Sequence, residues 1–261
     1  MTARAGAASG HVPIPTAGAG GAIRQTHGHG IQMTRLLLFD IDGTLVDTGG
    51  AGLRAFARIL HEHFGTSDGL LGIPLAGRTD RAILADALAR VAPDHDADEA
   101  WLRRFSERYV VALADELEKP SPRKRLLPGV VEALDRIAGL NGSHLALLTG
   151  NFRRGAEVKL GHFGLWDRFA FGAYGDDSVA RNDLFPVAMV RAREAGLAVR
   201  DPRDVVVIGD TPHDVACARS GGGGGAGGTA GACGPPAPGG ARAHTSIDPL
   251  TSLAGVEALF G

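Results

Sequence analysis

Two aspartates, Asp40 and Asp42, follow an apolar run in LLLFDIDGTLVDTGG, from Leu36 to Gly50. A carboxylate can attack phosphorus as a covalent nucleophile, and a second carboxyl nearby can protonate the leaving oxygen and later activate water. Two further stretches have the same design, an apolar run that ends in small polar groups. HLALLTGN, 144–151, ends in Thr149, Gly150 and Asn151, and DVVVIGD, 204–210, ends in Asp210, with Asp214 four residues on. Asp40, Asp42 and Asp210 brought together would concentrate negative charge, which is unfavourable without a cation. Mg²⁺ prefers hard oxygen ligands and commonly bridges carboxylates and phosphate.

Such convergence needs a scaffold. The runs at 36–40, 144–149 and 204–210 have strand length and no polar face, as expected of parallel strands covered on both sides. FAFGAYG, 169–175, is a further candidate strand. Helical spacing at 126–140, 155–165 and 182–197 separates these runs, with Pro186 in a first turn. Strands that alternate with helices predict a Rossmann-like α/β core with a parallel sheet, whose ligands bind beyond the carboxyl ends of the strands. The chain from 48 to 126 reads differently. It has helical periods at 51–64, 79–91 and 99–118 and no convincing strand, so it is expected to be an all-helical insertion after the first strand. The expected division is therefore a core of 34–47 and 127–261, and a helical insertion of 48–126.

The remaining sequence sets bounds. The chain has 261 residues and a formal charge of −2, which argues against a nucleic-acid footprint. No apolar run approaches the roughly 20 residues that cross a bilayer. Two cysteines, Cys217 and Cys233, cannot form a disulfide framework and are expected as reduced thiols in a cytoplasmic protein. Residues 1–33 are rich in Gly, Ala, His and Pro and read as a disordered tail, in which His27 and His29 bind metal only adventitiously and Met33 stands as an alternative start. Eleven of the twenty residues from Gly221 to Gly240 are glycine. This stretch, 220–242, reads as a flexible, disordered segment placed where another strand belongs, so one sheet edge is expected to be bare. A closing helix is expected within 249–261.

DIDGTLVDT, LLTGN and VIGDTPHD together resemble the haloacid dehalogenase-like hydrolase superfamily, over roughly 34–219 and in the family's order. The insertion resembles that family's small helical cap, and GRTD, Gly77–Asp80, resembles a cap loop of phosphoglycolate phosphatase-like members. The resemblance implies Asp40 as nucleophile and Asp42 as general acid/base, with the main-chain carbonyl of Asp42 on the metal. It implies Mg²⁺ held by Asp40, Asp42 and Asp210 and supported by Asp214. Thr149, with the N–H groups of Gly150 and Asn151, would bind phosphate, and Gly43 and Thr44 would hold the turn beyond the nucleophile. The family's usual lysine is matched by Arg181 in VARNDLFP. Lys159 is the rival, although its mid-helix position reads as a solvated face. An aspartate at position 42 favours phosphoryl transfer over dehalogenation. The implied function is Mg²⁺-dependent hydrolysis of a small phosphomonoester, by a monomer or weak homodimer. A phosphomutase, or a catalytically weakened regulatory protein, is the alternative. Arg54, Arg78 and Arg81 are candidate contacts for an anionic substrate, against a solvated helix face for each.

Overall fold

The computed structural model describes residues 34–66, 68–199, 204–220 and 242–244. All of them lie in the unit that runs from Gln32 to Gly261. The expected N-terminal tail, the Gly-rich stretch from 221 to 241, Cys233 and the expected closing helix fall outside the described residues.

A five-stranded parallel sheet organises the core. In sheet order it runs β5 (Gly172–Ala173), β4 (Ser143–Leu148), β1 (Arg35–Phe39), β6 (Val205–Ile208) and β7 (Arg242–His244). The central strand β1 is apolar on both faces because both are covered. Leu37 and Phe39 join Val130, Ala133, Leu134 and Ile137 of α4 (Val130–Ala138) and Ala156 and Leu160 of α5 (Arg153–His162). Leu36 and Leu38 point the other way, into Leu184, Phe185, Ala188 and Ala192 of α6 (Leu184–Glu194) and Cys217 and Ala218 of α7 (Pro212–Ser220). Leu36, Leu37, Leu38 and Phe39 have no exposed surface. Burying each stabilises the fold by about 1.5–3 kcal/mol before ordering costs.

Register places the polar ends together. Phe39 sits opposite Leu147 on one side and Ile208 on the other. Asp40, Thr149 and Asp210 therefore emerge within two residues of the same level along three adjacent strands. β5 is shorter than the 169–175 run, yet its backbone continues the pairing: Ala170 N–H donates to the Leu145 carbonyl and Leu147 N–H to that of Phe171. α6 begins after a 3₁₀ turn at Arg181–Asp183 and carries Pro186 in its first turn, where the missing N–H costs nothing.

Two expectations are corrected. The sheet edge beside β6 is not bare: β7 pairs with it in parallel, through Val206↔Arg242, Val207↔Ala243 and Ile208↔His244. Three residues suffice for a ladder and begin just where the glycines end, too short a run to give a sequence pattern. The 48–126 segment is also not strand-free. β2 (Val46–Asp47) pairs antiparallel with β3 (Arg125–Leu126) at the two ends of the insertion.

Between them, α1 (Ala51–Phe64), α2 (Asp80–Val91) and α3 (Glu99–Glu118) share their own apolar cluster, with Phe56, Leu60, Leu84, Phe105, Tyr109 and Leu113 at its centre. Phe56 packs edge-on to Tyr109, with centroids 4.8 Å apart. Phe152, from the loop after β4, joins this cluster and so ties the insertion to the sheet. Thr79 caps α2 by accepting the Ala82 N–H, and Asp98 caps α3 by accepting that of Trp101. Both are favoured side chains for that position.

Candidate active site

Asp40 follows the last residue of β1 and is 5% exposed. Its Oδ1 accepts the Ile41 N–H at 2.8 Å, and its Oδ2 accepts Arg181 Nη2 at 2.9 Å. Burial pushes this carboxyl above its ordinary range, and the Arg181 guanidinium pulls it back. The 3₁₀ turn before α6 delivers Arg181, which is buried and also reaches Asp214 Oδ1. Arg181 stays charged: burial disfavours its cation, but the facing Asp40 and Asp214 carboxylates more than offset that. Its Nε is buried without a hydrogen-bond partner among the described residues, a donor left over for a further oxygen.

Asp214 sits in the first turn of α7, and its Oδ2 accepts both the N–H and the hydroxyl of Thr211. Gly209 makes room for it. A Cβ there would lie 2.0 Å from the Asp214 carboxyl carbon. Asp210 is more open, and burial together with the neighbouring Asp40 charge raises its pKa to about 6. Oxygens of Asp40, Asp210 and Asp214 all lie within 4.8 Å of one another. Gly43 fits against Asp210 because it has φ +78° and no Cβ, which would sit 2.2 Å from Asp210 Oδ2. The Thr44 hydroxyl donates to Asp210 Oδ1 at 3.4 Å.

Asp42 turns away from this group of three. Its Oδ2 accepts Asn151 Nδ2 at 2.9 Å and Lys159 Nζ at 2.6 Å. Lys159 also donates to Asn151 Oδ1 at 2.5 Å. The solvated face expected for Lys159 is therefore overturned. The residue is 5% exposed, because α5 is covered by the sheet on one side and by α3 on the other, and a period read within one helix does not register that second cover. The site holds two cations, Arg181 on Asp40 and Lys159 on Asp42, where the sequence poses a choice between them.

Thr149 is fully buried, and its Oγ1 accepts Asn151 Nδ2 at 2.8 Å and the Asn151 N–H at 3.3 Å. Gly150 is pressed against the insertion. A Cβ on it would lie 2.1 Å from the Arg78 carbonyl oxygen, and its own carbonyl accepts the Asp80 N–H at 2.7 Å. Asp80 is a site residue the sequence reading missed. Its Oδ2 accepts the Phe152 N–H at 2.8 Å, and burial raises its pKa to about 7 against the pull of Lys159. GRTD carries the signal that marks it. The three candidate arginines are all engaged within the protein: Arg54 with Glu116 at 2.7 Å, Arg78 with Asp86 at 2.6 Å and Arg81 with Glu99 at 2.8 Å.

Asp40, Asp42, Asp80, Asn151, Lys159, Arg181 and Asp210 line a cavity of about 450 Å³. Three clustered carboxylates make an all-oxygen donor set that suits a hard divalent cation. The unpartnered Nε of Arg181 is a donor open to an anion.

The chain matches the model of haloacid dehalogenase-like hydrolases over residues 34–222. It is 30% identical over 201 residues to "Probable phosphatase IndB" of Dickeya dadantii, across 73% of this chain and 79% of the relative. It is likewise 30% identical to the phosphoglycolate phosphatase of Caulobacter vibrioides, across 71% of this chain and 75% of that protein. Among solved structures, CbbY from Rhodobacter sphaeroides in complex with phosphate shares the fold, with a TM-score of 0.51 and 18% identity, over 72% of this chain and 83% of that one.

Proposed function

The chain belongs to the haloacid dehalogenase-like hydrolases, and from that premise we propose that it hydrolyses a small phosphomonoester through a phosphorylated Asp40. The observation that carries this reading is the placement of Asp40. It is buried at the end of β1 and paired to Arg181 at 2.9 Å, with Asp210 and Asp214 within 4.8 Å and Asp42 two residues on. The relatives named as phosphatases support the same reading.

Asp40 Oδ attacks phosphorus, and the bond from phosphorus to the ester oxygen breaks. The proton that the departing alkoxide needs comes from Asp42, whose named contacts both fall on Oδ2 and leave Oδ1 for the transfer. Water then attacks the phosphoryl group, Asp42 takes its proton, and Asp40 is released with inorganic phosphate. Arg181 holds Asp40 in place and neutralises charge as it builds on the phosphoryl oxygens. Asp40 and Asp210, with the main-chain carbonyl of Asp42 and with Asp214 in support, would hold Mg²⁺, which when bound would screen the carboxylates from the phosphate. Thr149 and the N–H of Gly150 would cradle the phosphoryl oxygens. The insertion serves as a cap that shuts water out and meets the leaving group. Among the described residues no helix is long and apolar enough to cross a membrane.

The test is phosphate release from a panel of phosphomonoesters with Mg²⁺. Asp40→Asn should fall by roughly 10⁴-fold or more while its far-ultraviolet circular dichroism spectrum stays that of the folded parent. Hydrolysis within tenfold of the parent protein would refute the assignment.

A further inference from the structure

We infer that the substrate is the phosphate ester of an uncharged, largely apolar alcohol, and that an ester whose alcohol carries a carboxylate is a poor substrate. This rests on the phosphatase reading and deepens it. Leu53, Phe56, Leu70, Leu75, Ile83 and Leu127 contribute apolar lining to the same cavity. Leu53 is 44% exposed on α1, apolar surface that an apolar ligand would cover. Thr48 and Tyr109 add uncharged polar residues to the lining.

The charges argue the same way. Five carboxylates line the cavity, Asp40, Asp42, Asp47, Asp80 and Asp210, against three cations, Arg78, Lys159 and Arg181. Arg181 is committed to Asp40 and Asp214, and Lys159 to Asp42 and Asn151. Among the described lining residues, Arg78 is the one cation that the insertion contributes; Arg54 and Arg123 lie behind Gly50, outside the lining. Arg78 Nη1 is held by Asp86 and the Pro74 carbonyl, and its Nη2 by the Ala82 carbonyl. With Mg²⁺ bound beside the phosphoryl group, a second anion on the substrate would still find no uncommitted counter-ion among the described lining residues. Its desolvation would go uncompensated. Methylene groups in the same place would bury surface against the leucines, with a gain of roughly three- to fourfold in transition-state affinity for each.

The experiment compares hexyl phosphate, phosphoglycolate and the activated ester p-nitrophenyl phosphate, all with Mg²⁺. Hexyl phosphate should exceed phosphoglycolate in kcat/KM by about 30-fold or more. Leu53→Arg, a change at an exposed helical position, should narrow that ratio at least about fivefold, by lowering hexyl phosphate and raising phosphoglycolate. Phosphoglycolate equal to or better than hexyl phosphate, with p-nitrophenyl phosphate hydrolysed, would overturn the inference and leave the phosphatase reading standing. An unchanged ratio in Leu53→Arg would also overturn it. No hydrolysis of any of the three esters would remove the phosphatase reading, and the inference with it.

Discussion

Asp40 and Asp42 are two residues apart and live in different surroundings. Asp40 is buried against Arg181, whereas the Asp42 side chain is 45% exposed and held by Asn151 and Lys159. Buried at the end of β1, Asp40 suits attack on phosphorus, and the accessible Asp42 suits proton traffic with the alcohol and with water. Asp42→Asn should therefore slow hydrolysis by about 10²–10⁴-fold for an unactivated alkyl phosphate and much less for p-nitrophenyl phosphate, whose leaving group needs no proton. Equal losses on the two esters in steady-state assays would count against the acid role. Asp40, Thr149 and Asp210 were legible in the sequence because each ends an apolar run, and strand register then places them side by side. The partnership of Asp42 with Lys159 and Asn151 was not, since it joins residues 117 and 109 positions apart and depends on how α5 lies against the sheet.

At the scale of elements, the join between α2 and the loop after β4 governs whether the insertion sits over the site. Asp80 fixes it twice, through its N–H to Gly150 and its carboxylate to Phe152 N–H. The Thr79 hydroxyl donates to the Val179 carbonyl at 2.7 Å. Gly150→Ala drives a Cβ into the Arg78 carbonyl, and backbone does not yield as a side-chain tip would. That variant should lose at least about tenfold in kcat/KM, because displacement of about 1 Å near the reacting groups is costly. Its sheet should melt within a few degrees of the parent, as followed by circular dichroism. Asp80 also makes the join sensitive to pH. Its folded pKa of about 7 lies above the ordinary 3.8, so between those values the folded state binds the extra proton and stability falls as pH rises. Asp80→Asn keeps an acceptor for Phe152 and removes the titration. Denaturant melts should show the variant gaining on the order of 1–3 kcal/mol relative to the parent between pH 5 and pH 8. A parallel pH dependence in both proteins would exclude this origin. The three helices of the insertion were legible from their 3.6-residue spacing. The strands β2, β3 and β7 were not, because ladders of two or three residues leave no period to read.

Across the whole molecule, three carboxylates meet at one edge of the sheet with a single guanidinium among them. Charge of this kind opposes folding until a cation joins it, and anything that binds the folded state alone raises stability by mass action. Thermal melts with Mg²⁺ and with a chelator should differ by several degrees, with the higher midpoint in Mg²⁺ and a gap that grows with its concentration. Asp210→Asn should shrink that gap, and an equal gap in the variant would place the ion elsewhere.

The β2–β3 pair has a consequence for how such a protein changes over time. Chain enters the insertion at Val46–Asp47 and returns from it at Arg125–Leu126, with Val46 opposite Leu126. Paired residues in an antiparallel ladder have Cα atoms about 5 Å apart, so everything between these strands begins and ends at nearly the same point. A segment anchored in that way is a cassette. Its length, helix number and wall chemistry can be exchanged by insertion or recombination without stretching β1 or shifting its register against β4 and β6. The strands that carry Asp40, Thr149 and Asp210 would then keep their register whatever chain lay between β2 and β3.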